Sequence, residues 1–366
     1  MSITVLTAAD ITTILADPST LEQALASQRD VLAAFSRSSN AEKGNDPPEI
    51  QIPHRTTITT EGCTTLCMPS RVRGLEGQEG EQGTGIGVKV VSVPRDGDAG
   101  LPATTTLFEG KEGKLKAVVN ARALTAVRNS CASALFILSL PTIRKSATSL
   151  VLFGSGAQAK YHALVLCALV PTIRTVTIVA RRQTERLSSL VEDLRSSLAS
   201  AETSEVTSAS TARSVQSVIA PSSGDLANLI STADIICTMT SSTTPLFPGP
   251  VKANTAIVLI GSYKPTMHEI SGSVLAQGMA NGRKLIVDSR EACLCEAGEL
   301  IDAQVREEDV LELGQVLSGG SIGGQEEGGV FIFKSVGISV QDVAIADVML
   351  RLAEARGLGI VIPDYD

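Results

Sequence analysis

Histidine is scarce in this chain, with three residues among 366, and the seven cysteines are scattered. No two cysteine pairs, and no pair of cysteines with histidines, show the spacing of a zinc site. The chain therefore has few residues from which a histidine-based metal site or a Ser-His-Asp triad could be built. We expect no metal centre and reduced, mostly buried thiols, as is usual for cytoplasmic proteins.

The chain also lacks long apolar runs and blocks of basic residues. No run approaches the roughly 18 apolar residues that span a bilayer. The first residues include Asp10 and no basic leader, so we expect no signal peptide and a cytoplasmic location. A net charge of −8 makes nucleic acid or an anionic membrane an unsuitable partner. A small-molecule ligand fits these limits.

The length of the chain predicts two domains, because 366 residues exceed a single core of usual size. Ser19–Glu22 is a capping box before an apolar stripe, which predicts a helix from about 20 to 36. Short strand-like runs then follow as far as Val119, the clearest being Val88–Val93. They indicate an antiparallel α+β unit.

The middle of the chain has a different pattern, in which short apolar runs alternate with helical or loop segments. The six runs are Leu150–Phe153, Val176–Ala180, Ser217–Ala220, Asp234–Cys237, Ala256–Ile260 and Leu285–Asp288. This alternation is typical of an α/β fold with a doubly wound parallel sheet. Near the end, Val330–Lys334 is a predicted strand, and Ser339–Asp342 is predicted to cap a helix that ends at Gly357. We therefore predict an α+β domain from residues 1–125 and 330–366, with a Rossmann domain at 126–329 inserted into it.

The first of these runs leads directly into a glycine turn, Gly154-Ser155-Gly156-Ala157-Gln158-Ala159, and an apolar helix follows. Gly154 permits the tight turn, Gly156 lets the backbone approach a pyrophosphate, and Ala159 allows close packing of helix and strand. The pyrophosphate would sit at the helix N-terminus, where free N–H groups favour an anion. The strand-turn-helix context favours a dinucleotide site over an ordinary βα turn.

Arg181 and Arg182 end the second strand of this domain, where NAD-specific sites usually carry Asp or Glu. Two arginines suit the 2′-phosphate of NADPH, so we expect NADPH as the cofactor in preference to NADH. The alternative is that one or both are simply solvated surface charges.

Three basic residues of the outer domain are candidates for the chemistry. Lys89 interrupts a valine-rich strand whose two faces both look apolar, so its ammonium needs a partner or a ligand. Burial would lower its pKa and suit it to proton transfer, although a lysine in a strand is often only an edge residue. Arg128 lies at the head of a very apolar helix, and Arg55 lies at the start of a strand. Two such arginines could bind a carboxylate, or they could be ordinary surface charges.

Taken together, these features identify a resemblance to the ornithine cyclodeaminase/μ-crystallin family over most of the chain. Beside the glycine turn, the stretches that carry it are Cys67–Ser70, Gly87–Val93, Leu124–Arg128, Ala233–Ser242, Gly261–Pro265 with Glu269, and Phe333–Gly337 before Asp342. The resemblance implies a homodimer formed through the outer domain and an active site between the domains. It implies that Arg55, Arg128 and Met68 bind the substrate and that Lys89 is catalytic.

For the cofactor, the resemblance implies contacts from the glycine turn and from residues that follow the later strands of the Rossmann domain. The latter are Thr238, Thr240, Ser241, Ser262 and Tyr263, and Lys334 at the end of the predicted strand Val330–Lys334 is a further cofactor residue. The chain departs from true ornithine cyclodeaminases at Tyr263, where they carry an aspartate that handles the substrate amine. Ketimine reductases that resemble μ-crystallin also lack this aspartate and favour NADPH.

The leading hypothesis is therefore NADPH-dependent reduction of a cyclic 2-imino acid, such as pyrroline-2-carboxylate or piperideine-2-carboxylate, to the L-amino acid. Ornithine cyclodeaminase with a different base, an amino-acid dehydrogenase and a synthase of N-substituted amino acids remain alternatives. A crystallin-like protein that only binds NADPH or another ligand is the non-enzymatic alternative. The presence of Lys89, Arg55 and Arg128 together disfavours this last reading.

Overall fold

A computed structural model describes residues 2–40, 50–72, 85–94, 100–202, 213–219, 223–323 and 328–365. The chain forms two compact units. Unit 1 comprises Met1–Ala132 and Ile338–Asp366, and unit 2 comprises Ser133–Gly337. Among the described residues, no helix combines the length and apolar character that crossing a bilayer requires.

Unit 1 is a mixed sheet with helices, made from both ends of the chain. Its elements are β1 (Ile3–Leu6), α1 (Ala8–Leu15), α2 (Ser19–Asn40), β2 (Ile50–Gln51), β3 (Thr56–Thr59), β4 (Cys63–Val72), β5 (Gly85–Pro94), β6 (Ala103–Phe108), β7 (Leu115–Asn120) and the start of α3 (Leu124–Leu138), with α12 (Ser339–Arg356) and β16 (Ile360–Ile362) from the chain end. The strand order is β16-β1-β7-β6-β5-β4-β2, and β3 also pairs with β4. Strands β4 to β7 are antiparallel neighbours, as the sequence predicts.

Helix α12 is the central helix of unit 1, and it is buried from Ser339 to Leu350 without interruption. It ends at Gly357 in the left-handed conformation (φ 64°), as predicted, because glycine adopts positive φ without strain. Its start differs from the prediction: Ile338 is the N-cap residue and makes no side-chain cap bond. The hydroxyl of Ser339 donates instead to the carbonyl of Pro69, 2.9 Å away.

Close packing of α12 on the sheet depends on Gly87 in β5. A Cβ atom at this position would lie 2.7 Å from Cγ2 of Val343 and 2.9 Å from the carbonyl oxygen of Thr106. We expect Gly87→Ala to destabilise unit 1 by about 1–3 kcal/mol, as overpacking of a core does. Denaturant unfolding measures this, with Gly62→Ala as the matched control because that position has open space around it. Equal stability of the two variants would contradict the packing argument.

Unit 2 is a parallel sheet with helical connections. Its elements are the end of α3, α4 (Pro141–Ser146), β8 (Ser149–Phe153), α5 (Ala157–Leu169), β9 (Thr175–Ala180), α6 (Glu185–Glu202), β10 (Ser214–Ile219), α7 (Ser223–Thr232), β11 (Ile235–Thr238), β12 (Thr255–Leu259), α8 (Gly272–Met279), β13 (Leu285–Val287), α9 (Arg290–Glu296), α10 (Gly298–Asp302), β14 (Val310–Glu312), α11 (Leu313–Leu317) and β15 (Val330–Lys334). The strand order is β10-β9-β8-β11-β12-β15-β13-β14, and every pair is parallel. The order reverses direction between β8 and β11, which is where dinucleotides bind in such sheets.

All six strands predicted for this domain are present, and the predicted α/β class with a doubly wound parallel sheet is confirmed. The placement of Val330–Lys334 in the outer domain is wrong. This strand is β15, which inserts between β12 and β13 and is buried throughout. The boundaries between the units lie after Ala132 and after Gly337, later in each case than predicted, and the place of β15 accounts for the second. Strand β14 was not predicted, because Val310–Glu312 is too short to show a pattern.

Candidate active site and cofactor site

Lys89 lies in the middle of β5 and is only 2% exposed. Its Nζ donates to Oδ1 of Asp342 in the first turn of α12, at 2.9 Å. Burial lowers the pKa of Lys89 from its usual value, and the positive charges of Arg128 and Arg55 act in the same direction, while Asp342 opposes them. A buried lysine whose pKa is lowered in this way is suited to donating a proton.

The expectation that both faces of β5 are buried holds for one face only. Gly87, Lys89 and Val91 are buried, whereas Val90, on the other face, is 37% exposed. Lys89 therefore points toward α12, because successive side chains of a strand alternate between the two faces of the sheet.

Arg128 lies in α3 and is almost fully buried. Its Nε donates to the same Oδ1 of Asp342 at 3.2 Å, and its Nη1 donates to Oε1 of Gln341 at 2.9 Å. One carboxylate oxygen thus holds two buried cations. The second oxygen, Oδ2 of Asp342, and Nε2 of Gln341 are buried and have no hydrogen-bond partner within the described residues. A buried acceptor and a buried donor of this kind are costly unless a ligand satisfies them.

The other two predicted substrate residues also belong to unit 1. Met68 on β4 is directly opposite Lys89 in the β4–β5 register, so the two side chains share a face of the sheet. Arg55 precedes β3, is half-buried, and lies close enough for its charge to lower the pKa of Lys89. The structure therefore brings Arg55, Met68, Lys89 and Arg128 to one region of unit 1.

Asp342 and Gln341 are not among the predicted site residues, because the sequence of Ser339–Asp342 is also that of a helix cap. Their position in the otherwise apolar helix segment Val340–Ala346 could have indicated them. Two adjacent polar residues in a helix buried on every side need partners from other elements.

The glycine turn of unit 2 has the geometry of an anion site. Gly154 follows β8 with φ 123°, a conformation that favours glycine, and Gly156 is the N-cap of the 13-residue helix α5 without a side-chain cap bond. The free N–H groups at the start of α5, near Ser155, Ala157 and Gln158, suit a pyrophosphate. These residues fit a dinucleotide cofactor.

Three arginines lie between the end of β9 and the first turn of α6, and one of them contacts the glycine turn. Arg181 and Arg182 follow β9 directly and are exposed. Arg186, in the first turn of α6, was not predicted as a site residue. Its Nη2 would lie 2.7 Å from a Cβ atom at Gly156, so its guanidinium lies against the phosphate-binding turn.

The remaining predicted cofactor residues lie at or just after the carboxyl ends of β11, β12 and β15 in unit 2. Thr240, Ser241 and Tyr263 are at least partly exposed. Thr238, Ser262 and Lys334 are fully buried, and Nζ of Lys334 donates to Oγ of Ser262 at 2.6 Å. Thr240, Ser241 and Tyr263 can therefore contact a ligand directly, whereas Lys334 is enclosed by protein.

Comparison with known proteins adds to this geometry. The family model described as the ornithine cyclodeaminase/mu-crystallin family matches residues 19–355. A Delta(1)-pyrroline-2-carboxylate reductase of Bacillus cereus is 30% identical over 322 residues, which cover 84% of this chain and 87% of that protein. A second relative is a Delta(1)-pyrroline-2-carboxylate/Delta(1)-piperideine-2-carboxylate reductase of Azospirillum brasilense. It is 27% identical, and the match covers 85% of this chain and 88% of that protein.

Among solved structures, the fold is similar to that of the Thermococcus litoralis Delta(1)-pyrroline-2-carboxylate reductase in complex with NADH and L-proline. The TM-score is 0.77 at 19% sequence identity, and the match covers 98% of this chain and 99% of that one. The likeness confirms the fold over essentially the full chain.

Proposed function

The chain belongs to the ornithine cyclodeaminase/mu-crystallin family, and we propose that it reduces a cyclic 2-imino acid to the L-amino acid with NADPH. The substrate class is that of pyrroline-2-carboxylate and piperideine-2-carboxylate. The observation that carries the proposal is the buried group of Lys89, Arg128 and Asp342, in which Oδ2 of Asp342 has no partner within the described residues. The two reductases at about 30% identity support the same substrate class.

Each residue of this group has a chemical role in the proposal. Arg128 and Arg55 bind the substrate carboxylate, which arginine recognises through paired hydrogen bonds. Lys89 donates a proton to the imine nitrogen, which makes the C=N carbon electrophilic. Oδ2 of Asp342 accepts a hydrogen bond from the N–H that results. The reduced nicotinamide, when bound, supplies the hydride for the carbon, so that C=N becomes CH–NH.

The preference for NADPH is supported by Arg181 and Arg182, which are the first residues after β9 and are exposed to ligand. We expect the double variant Arg181→Ala/Arg182→Ala to bind NADPH about 10- to 100-fold more weakly, because hydrogen bonds to a charged group contribute about 1.5–3 kcal/mol. NADH binding should change little. Fluorescence titration with both cofactors measures this, and the exposed Arg144→Ala variant is the control. A similar loss for NADH would contradict the 2′-phosphate assignment.

We also propose a homodimer formed through unit 1. Support comes from the sheet face that points away from α12. Ile58 is 57% exposed there, and the register β3–β4–β5 places it in line with Thr65 and Ser92, on the same face as Val90. Exposed apolar surface that several side chains share on one face marks an interaction site, and Ile58 and Val90 both contribute to this face. Analytical ultracentrifugation of the chain tests this, and a monomer at micromolar concentration would contradict it.

The function itself is tested by following nicotinamide absorbance with a panel of cyclic 2-imino acids, with NADPH and NADH in parallel. We expect rapid oxidation of NADPH with at least one five- or six-membered imino acid. An incubation with ornithine and NAD⁺, assayed for ammonia, identifies a cyclodeaminase. A protein that binds NADPH and converts none of these compounds would be a binding protein, and this proposal would be rejected.

A further inference from the structure

Four polar side chains form a buried cluster in unit 2 that the proposed chemistry does not use. They are Ser262, Glu269, Glu299 and Lys334, and each is at most 3% exposed. We call them the β12–β15 cluster, because Ser262 follows β12 and Lys334 ends β15. Two carboxylates and one ammonium inside a protein are expensive to desolvate, so their arrangement calls for a physical explanation.

Lys334 is the centre of the cluster. Its Nζ lies 2.6 Å from Oγ of Ser262, 3.3 Å from Oε1 of Glu299 and 3.6 Å from Oε2 of Glu269. The Ser262 hydroxyl accepts from Lys334 and donates to the carboxylate of Glu299, at 2.7–2.8 Å. The ammonium therefore holds both carboxylates, and the hydroxyl of Ser262 connects it to the turn after β12.

Glu269 joins two turns through backbone hydrogen bonds. Its Oε2 accepts from the N–H groups of Gly261 (2.7 Å) and Ser262 (3.0 Å), and its Oε1 accepts from the N–H of Thr240 (3.3 Å). Gly261 has no room for a Cβ atom, which would collide with the backbone of Thr240 and with Oε1 of Glu269. The turns that follow β11 and β12 are thus locked to each other by one carboxylate.

The position of these two turns in the sheet indicates which part of the cofactor they lie beside. β8, which carries the glycine turn, is the neighbour of β11, and β12 lies next along the sheet. In a doubly wound sheet of this order, the two halves each hold one mononucleotide of the cofactor at the carboxyl ends of the strands. The half with β8 and β9 holds the adenosine side, so the turns after β11 and β12 belong to the nicotinamide side.

We propose that Glu269, Lys334 and Glu299 are positioning residues for the nicotinamide half of the cofactor, and that they act through Thr240 and Ser262 without touching it. This inference rests on the cofactor site of the proposed function. It also reassigns Lys334, which is 0% exposed, from direct cofactor contact to support of Ser262. The cluster sets the spacing of the two turns, and that spacing sets where the nicotinamide ring lies.

The test compares two ligands that differ only in the nicotinamide. NADPH carries both halves, and 2′-phospho-ADP-ribose lacks the nicotinamide. For Glu269→Gln we expect the Kd for NADPH to rise at least tenfold and the Kd for 2′-phospho-ADP-ribose to stay within twofold of wild type, both by calorimetry. A loss of the same size for both ligands, or for neither, would overturn the proposal. Because binding is measured directly, this result is independent of whether the wild type reduces imino acids.

A second variant keeps the test decisive if Glu269→Gln does not fold. Ser262→Ala removes only the hydroxyl that links Lys334 to the turn. We expect a selective rise in the Kd for NADPH that is smaller, about threefold.

The matched control is Thr255→Val, which removes another fully buried hydroxyl at the amino end of β12, where it donates to the carbonyl of Ala233. The control should lower the melting temperature and leave both dissociation constants unchanged. A selective loss of NADPH binding in Thr255→Val would show that any buried hydroxyl of unit 2 has this effect, and would also overturn the proposal.

Discussion

Lys89→Met should lower kcat/KM for the imino acid by about 10²–10⁴-fold, which is the usual contribution of a general acid or base. Lys89 is the one buried lysine among the described residues of unit 1, and its Nζ donates a hydrogen bond to Asp342. Methionine fills a similar volume without a proton to give. Lys89→Ala should lose as much activity and also leave a cavity that lowers stability.

The Kd for NADPH should not change in either Lys89 variant, because the glycine turn lies in the other unit of the chain. Steady-state kinetics and a fluorescence titration with NADPH separate the two effects. Lys116→Met is the matched control, since Lys116 lies on β7 of the same sheet and is partly exposed. Near-normal turnover in Lys89→Met would exclude Lys89 as the proton donor.

Asp342→Asn should have the second largest effect, and it should be visible in the pH profile. Asp342 is the charge that opposes the lowering of the pKa of Lys89 by burial and by the two arginines. Without that charge the pKa of Lys89 falls further, so Lys89 loses its proton at a lower pH. In the proposed mechanism, reduction needs protonated Lys89. The fall of kcat/KM at high pH should therefore move to lower pH in the variant.

The reverse reaction, oxidation of the amino acid, needs the deprotonated lysine and should gain its activity at lower pH in the same variant. Asp342→Asn should also destabilise the chain by about 3 kcal/mol, because it leaves Lys89 and Arg128 buried without their carboxylate. Asp347→Asn on the same helix is the control. Asp347 is buried but pairs with Arg351 and Lys116, outside the site, so its loss should change stability alone. An unshifted pH profile in Asp342→Asn would refute the coupling of Asp342 to Lys89.

Local patterns in the sequence were sufficient for the glycine turn and for most elements. The glycine turn begins directly after β8, its residues Ala157–Ala159 open α5, and its conformation depends on the absence of a Cβ atom at Gly154. The burial of Lys89 followed from the apolar residues beside it in β5. Such features depend on residues close together in the chain, and periodicity reports them.

The periodicity of the sequence could not predict the order of the strands in a sheet. Val330–Lys334 has the pattern of a buried strand, and the pattern does not say which sheet buries it. Its place between β12 and β13 depends on pairings with residues many positions earlier in the chain. The domain boundary was misplaced for this reason.

The sequence by itself determined the fold class, the dinucleotide turn and the basic residues that we propose as ligands of a substrate carboxylate, because each is encoded by neighbouring residues. Only the tertiary structure decided how those residues are connected. Lys89 and Asp342 are 253 positions apart, and Lys334 and Ser262 are 72 apart, yet each pair shares a hydrogen bond. Buried charges need partners, and the fold alone determines which partners lie within reach.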